Sequence, residues 1–236
     1  MTLSPEAFAP HADIAALALA HLPAGDPAHD GTHLLRVWRT AFGIVEADRL
    51  RVDHEALAAA VLLHDCVAVA KDDPRRGMAS RLSGARACVI MADRLAPVSL
   101  ARMRGAIEAH SFSAGLPLRT IEDAVLRDAD RLDALGAIGV ARLFVTSGLL
   151  RRPLYDPLDP SARGRPLDDV AYTLDHFRTK LLRLREGFST RHGRALAEER
   201  SRETERYLAA FEAEAGPAPS VRPRTGAPGN PPPPGP

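Results

Sequence analysis

The sequence predicts an all-α protein, a single-domain bundle of helices. Three observations carry that expectation. The chain is rich in Ala and Leu, which favour helix. Apolar residues recur at helical spacing, as in Leu34, Val37, Trp38, Ala41, Ile44 and Val45. No segment reads as a convincing strand, and no internal repeat is visible. Of the 236 residues 45% are hydrophobic, enough for a sizeable core, but only 5% are aromatic, so Leu, Ala and Val must do the packing. Motifs between positions 33 and 130 must meet in one core, which argues for one domain, residues 1–215. The last 21 residues hold nine of the 20 prolines and no aromatic residue. Residues 216–236 therefore read as a disordered or polyproline tail outside the fold.

The elements follow in order. Asp13 to Leu22 reads as a short helix with Asp13 near its start. Leu22 to Pro27 is a loop by its Pro and Gly breakers. A long helix is expected from His29 to Leu50. Asp53 is placed to cap a helix from His54 to Asp65. Cys66 to Gly77 is a polar loop. Helices are expected from Met78 to Ala96 and from Ser99 to His110, separated by Pro97, with a loop from Ser113 to Pro117. Thr120 with Asp123 forms a capping box, with Asp in place of the commoner Glu, and opens the helix that carries Asp130 and Asp133. Gly136 and Gly139 either let a neighbouring helix approach or mark a bend. Gly148 to Pro166 is Pro- and Arg-rich and non-helical. A helix from Asp168 to Glu186 and a charged surface helix from Ser189 to Ala215 complete the fold.

The chemistry centres on His64-Asp65, at the end of the apolar run Ala56 to Leu63. Adjacent residues on a regular helix point about 100° apart, but at a fraying last turn both can reach one ion. Two further segments offer partners: His29-Asp30-Gly31-Thr32-His33 upstream and Asp128-Ala129-Asp130-Arg131-Leu132-Asp133 downstream. Imidazole nitrogen and carboxylate oxygen without thiolate suit Mn²⁺, Mg²⁺, Fe²⁺, Co²⁺ or Ni²⁺ better than structural zinc. A net charge of +1 gives no footprint for nucleic acid or an acidic membrane. Cys66 and Cys88 give no disulfide framework and fit a cytoplasmic setting. No apolar run reaches the ~18 residues that span a bilayer. P-loop, dinucleotide-binding and serine-hydrolase motifs are missing.

The order His33, His64-Asp65, Asp130 resembles the HD-domain metal-dependent phosphohydrolase superfamily. The words His29-Asp30-x-x-His33-x-x-Arg36-Val37, Ala109-His110-Ser111-Phe112-Ser113, Asp128 to Gly139 and His176-Phe177-x-x-Lys180-Leu181-Leu182 resemble a branch of small bacterial single-domain members. The resemblance spans residues 10–212. It implies one divalent metal ion, Mn²⁺ before the others, held by His33, His64, Asp65 and Asp130. It implies Asp65 and His110 at the chemical step. Arg36, Lys71, His110 and Lys180 are the candidates for phosphate contact. His29, Asp30, Asp133 and His176 are candidates for support, Asp133 by orienting Arg36, Lys180 or a ligand histidine, or by capping. Some relatives carry a second His where Ala109 stands, so one metal is favoured. The implied reaction is water attack on a phosphorylated small molecule, a nucleotide first and among those a deoxynucleoside triphosphate. A nucleotide sensor without turnover and a di-iron oxygenase are the rivals. A homodimer is compatible with the sequence.

Overall fold

The computed structural model describes residues 3–23, 30–69, 73–111 and 114–216, and among these there is no strand. The fold grows around a helix that has no solvent face. Helix α3 (His54–Leu63) carries eight consecutive buried residues, Ala56 to Leu63. A helix that is apolar all round must be enclosed by others. Helices α1 (Ala12–Leu19), α2 (Gly31–Asp48), α4 (Ala79–Met91), α5 (Pro97–His110) and α6 (Ile121–Leu132) pack around it. Four alanines in α3 keep its neighbours close, and larger side chains such as Ile44, Met91, Met103 and Leu126 fill the shell outside. Helix α7 (Gly136–Leu149), the short α8 (Asp175–Thr179) and the long α9 (Arg191–Ala215) form a flanking layer, with α7 and α9 packed on each other.

Caps fix where the elements begin. Asp30 accepts from the Thr32 and His33 amides at 3.0 and 3.1 Å and starts α2. Asp53 accepts from the Ala56 amide at 3.0 Å to start α3, and its other oxygen takes the Ser99 hydroxyl of α5 at 2.6 Å. The Thr120–Asp123 capping box is present in both directions. Buried Asp128 of α6 accepts from the Ser189 and Thr190 amides at 2.9 and 2.7 Å and from the Thr190 hydroxyl at 2.8 Å, tying the start of α9 to α6.

Two expectations need correction. Pro97 does not sit between helices; it is the first residue of α5, a position where its missing N–H costs nothing, and α4 stops at Met91. The helix expected over Asp168–Glu186 is only α8 followed by a 3₁₀ turn, Leu181–Gly187. Its upstream backbone donors are taken by another segment: the Thr173 and Leu174 amides bond to the carbonyls of Pro153 and Leu154 at 3.0 and 2.9 Å. Asp175 meanwhile holds the Asp168 amide at 2.7 Å and Arg165. Gly136 and Gly139 serve both functions suggested for them. Gly136 has φ +71° and starts α7, which meets α6 at a 70° bend. A side chain on Gly139 would overlap the Ala134 carbonyl, and one on Gly136 would press on Arg200 of α9. Among the described residues no single helix is long and apolar enough to cross a membrane.

Candidate metal centre

Three helix ends and one helix start converge beside α3. Helix α3 stops at Leu63, so His64 is its C-cap and Asp65 lies in the turn beyond. His110 is the last residue of α5, Asp130 lies in the last turn of α6, and His33 lies in the first turn of α2. His33 and His64 are fully buried. Asp65 and Asp130 keep 42% and 26% of their side-chain surface exposed, so solvent enters from the carboxylate side.

The donor atoms crowd together. His33 Nε2 lies 3.3 Å from His64 Nε2 and 3.7 Å from Asp130 Oδ1. His64 Nε2 lies 3.5 Å from Asp65 Oδ2 and 3.8 Å from Asp130 Oδ1. His110 Nε2 lies 3.8 Å from Asp65 Oδ1. The triads His33–His64–Asp130 and His64–Asp65–His110 each bring their ligand atoms within 4.8 Å of one another, and they share His64.

The tautomers follow from what each Nδ1 faces. His64 Nδ1 is 2.8 Å from the Val61 carbonyl and His110 Nδ1 is 2.6 Å from the Ile107 carbonyl. A carbonyl oxygen only accepts, so both nitrogens carry the proton. His33 Nδ1 is 2.8 Å from Asp133 Oδ2. Burial works against ionisation of Asp133, but hydrogen bonds from His33 and Arg36 and the charge of Arg142 hold its carboxyl well below the usual range. Asp133 is therefore the acceptor and His33 the donor. All three Nε2 atoms are left with a lone pair pointing into the cluster. Two such lone pairs 3.3 Å apart repel unless an electrophile lies between them. Metal–ligand bonds of about 2.1 Å place neighbouring donors roughly 3 to 4 Å apart, which is the spacing seen. Burial opposes the charge on Asp130, while the imidazoles of His64, His110 and His33 favour it when they are protonated, and its carboxyl lies below its ordinary range. Burial and the neighbouring His64 hold His110 below its ordinary pKa, hence neutral. Cys66, next to Asp65, is no ligand: burial pushes its thiol up to about 11, and Sγ donates to the Ser83 carbonyl at 3.6 Å. The donor set fits a divalent ion with nitrogen and hard-oxygen preferences.

An HD-domain profile matches residues 30–135, the span that holds all five of these residues. Over 180 residues the chain is 33% identical to YpgQ, an uncharacterised protein of Bacillus subtilis, covering 73% of this chain and 77% of YpgQ. The chain belongs to the HD-domain family. Solved structures share its fold. A Lactobacillus plantarum protein superposes with a TM-score of 0.66 at 28% identity, over 86% of this chain and 94% of its own. An HD-superfamily hydrolase from Bacillus thuringiensis gives 0.63 at 28%, over 86% and 94%. YpgQ, solved in complex with ADP, gives 0.63 at 29%, over 86% and 96%. HD domains bind divalent metals, and this HD domain carries a His/Asp cluster with the spacing to hold one.

The remaining sequence candidates are placed as follows. Asp30 caps α2 and also takes the Thr32 hydroxyl at 2.6 Å, which sets the turn bearing His33. Arg36 does not stand free for substrate. Its Nε and Nη2 bond Asp133 at 2.6 and 3.0 Å, and its Nη1 bonds the Thr32 hydroxyl at 3.0 Å. His176 Nδ1 lies 2.8 Å from Asp169 Oδ2, and Lys180, one turn on, is close enough that its charge adds to burial in lowering the His176 pKa. Asp169, which faces the His176 ring, also accepts the Thr179 hydroxyl at 2.9 Å. His29, Lys71 and the tail from residue 217 lie outside the described residues. No motif or spacing points to Arg142, which lies on α7 beyond the bend and donates to Asp133 Oδ2 at 2.7 Å.

Proposed function

We propose that this HD domain is a divalent-metal-dependent phosphohydrolase acting on nucleotides, with His33, His64, Asp65 and Asp130 as protein ligands. The observation that carries the reading is the convergence of three imidazole Nε2 lone pairs and two carboxylates, each Nδ1 already committed to an oxygen acceptor. A divalent ion bound there supplies Lewis acidity to a phosphoryl oxygen and acidifies its water. His33, His64, Asp65 and Asp130 would hold the ion, and it would supply that Lewis acidity to the substrate and to water. Asp65, the most exposed of the carboxylates, orients that water from the solvent side. Neutral His110 faces Asp65 through Nε2 and is placed to take or return a proton there. Arg36, Lys71, His110 and Lys180 are the phosphate-contact candidates, Arg36 being bonded to Asp133 as well. YpgQ was solved with ADP, which supports a nucleotide; a deoxynucleoside triphosphate is the finer form of the proposal. We read Mn²⁺ as the first choice among the metals and the cytoplasm as the setting, the latter supported by two free thiols.

The test is phosphate and pyrophosphate release across a nucleotide panel, with Mn²⁺ and after chelation. Metal-dependent release from one nucleotide class is expected and names the leaving group. No release from any nucleotide, with metal still tightly bound, would reject the hydrolase reading in favour of a sensor. Oxygen consumption with Fe²⁺ would instead support the oxygenase.

A further inference from the structure

We infer that Arg142 is a positioning residue of the metal centre: it locks the Asp133 carboxylate in the orientation that fixes the His33 tautomer and aims His33 Nε2 at the cluster. The inference rests on the metal reading above. Arg142 lies on α7, outside the span matched to the HD domain. Its Nη1 donates to Asp133 Oδ2 at 2.7 Å and to the Asp133 main-chain carbonyl at 3.1 Å. Asp133 Oδ2 also receives His33 Nδ1 at 2.8 Å and Arg36 Nη2 at 3.0 Å, while Oδ1 receives Arg36 Nε at 2.6 Å.

The three donors are not equivalent. Arg36 and His33 are three residues apart on α2, so they reach Asp133 from one helix and move with it. They define the distance between α2 and the end of α6. Arg36 bonds both oxygens and sets the carboxylate plane against α2, but neither of those bonds reaches the Asp133 main chain. Arg142 approaches from a third element and bonds both the side chain and the backbone of the same residue. A donor shared in that way ties the carboxylate plane to the main chain of Asp133. With Asp133 buried and the Arg142 side chain 16% exposed, water is poorly placed to replace the bond. Partners of this kind fix ligand orientation and are commonly worth 10–100-fold in metal affinity.

The experiment compares wild type with R142K and R142Q, using Mn²⁺ titration of metal-free protein by calorimetry and ¹⁵N NMR of the His33 imidazole at pH 8. R142Q is expected to weaken Mn²⁺ binding about tenfold and to bring up an Nε2–H population at His33. R142K keeps the charge on a side chain one bond shorter and without the fixed guanidinium plane, so a loss of about threefold with Nδ1–H retained is expected. Mn²⁺ affinity within twofold of wild type in R142Q, with His33 unchanged, would overturn the inference. If R142Q does not fold, R142K decides: affinity indistinguishable from wild type overturns it. If wild type binds no Mn²⁺ the metal reading fails separately, and the His33 tautomer in metal-free R142Q still decides the role of Arg142.

Discussion

Asp128 stands two residues before Asp130 on α6 and points roughly 200° away from it. Its function is structural, and Asp128→Ala measures it. The carboxylate is fully buried and receives three donors: the Ser189 amide, the Thr190 amide and the Thr190 hydroxyl. Hydrogen bonds to a charged acceptor contribute about 1.5–3 kcal/mol each, a gross of roughly 4.5–9 kcal/mol. Burial offsets part of that, because it raises the Asp128 carboxyl above its usual range despite the three donors. Truncation also leaves the buried Thr190 amide without its acceptor. A net loss of about 3–5 kcal/mol is expected. For a chain of this size that lowers Tm by roughly 6–20 °C. Asp128→Asn can place its amide oxygen where Oδ2 accepts all three donors, leaving the NH₂ toward the Ser189 N–H alone, so a smaller loss of about 1–2 kcal/mol follows. Urea unfolding followed by circular dichroism reads both. Mn²⁺ affinity of the folded Asp128→Ala protein at 25 °C should match wild type. A loss under about 1 kcal/mol would refute the account of how α9 is anchored, because three buried bonds to a carboxylate cannot be that weak.

His64→Ala with Asp65→Ala should abolish bound metal, read by metal analysis of the purified protein; full retention would reject the ligand assignment. Metal-free protein should lose stability as pH falls below about 6.5. His33 and His110 have lowered pKa values, so the unfolded chain takes up their protons first and that part of the stability is lost as pH falls. Asp133, held low, adds a further loss below about pH 4, where the unfolded chain protonates first. Thermal scans across pH, with and without Mn²⁺, check this, and a flat metal-free profile would contradict it. Gly43→Ala should stabilise by about 0.5–1 kcal/mol, since nothing stands within 4 Å of the added carbon in mid-α2. Gly139→Ala should cost about 2 kcal/mol or more, because the added carbon meets the Ala134 backbone. Denaturation midpoints of the two variants moving in the same direction would show the bend to be softer than drawn.

The caps were legible because their chemistry is local. Asp53 and Thr120 each act on the amide three residues on and start their helices where the residue type suggests, whereas Asp30 caps α2 in a helix expected to begin at His29. The convergence of His64 and Asp65 was legible as a requirement, since adjacent residues meet only where a helix gives out, and α3 ends at Leu63. The region 168–186 was misread because helical spacing is a local signal. There the deciding contacts are the carbonyls of Pro153 and Leu154, about 20 positions upstream. Arg142 left no trace for a related reason: it reaches Asp133 only through the 70° bend that Gly136 permits.

The same geometry explains why the centre needs that arginine at all. His64 and His110 sit at helix C-terminal ends, where the last carbonyls have no intrahelical partner. Each donates Nδ1–H back to the carbonyl three residues earlier, Val61 or Ile107, which satisfies the carbonyl and sets the tautomer in one bond. His33 sits in the first turn of α2, where carbonyls are already engaged and the unpaired groups are amides. Among the described residues the acceptor that faces its Nδ1–H lies outside that turn. The chain supplies one from 100 residues away, Asp133, and a buried carboxylate needs cations to remain ionised. Arg36 and Arg142 answer that need from two further directions. It follows that the three imidazoles differ in what they depend on. Those of His64 and His110 are fixed by their own helices, whereas that of His33 is fixed only while α2, α6 and α7 stay in register. Any change that loosens this packing should release the His33 tautomer first and leave the other two unchanged.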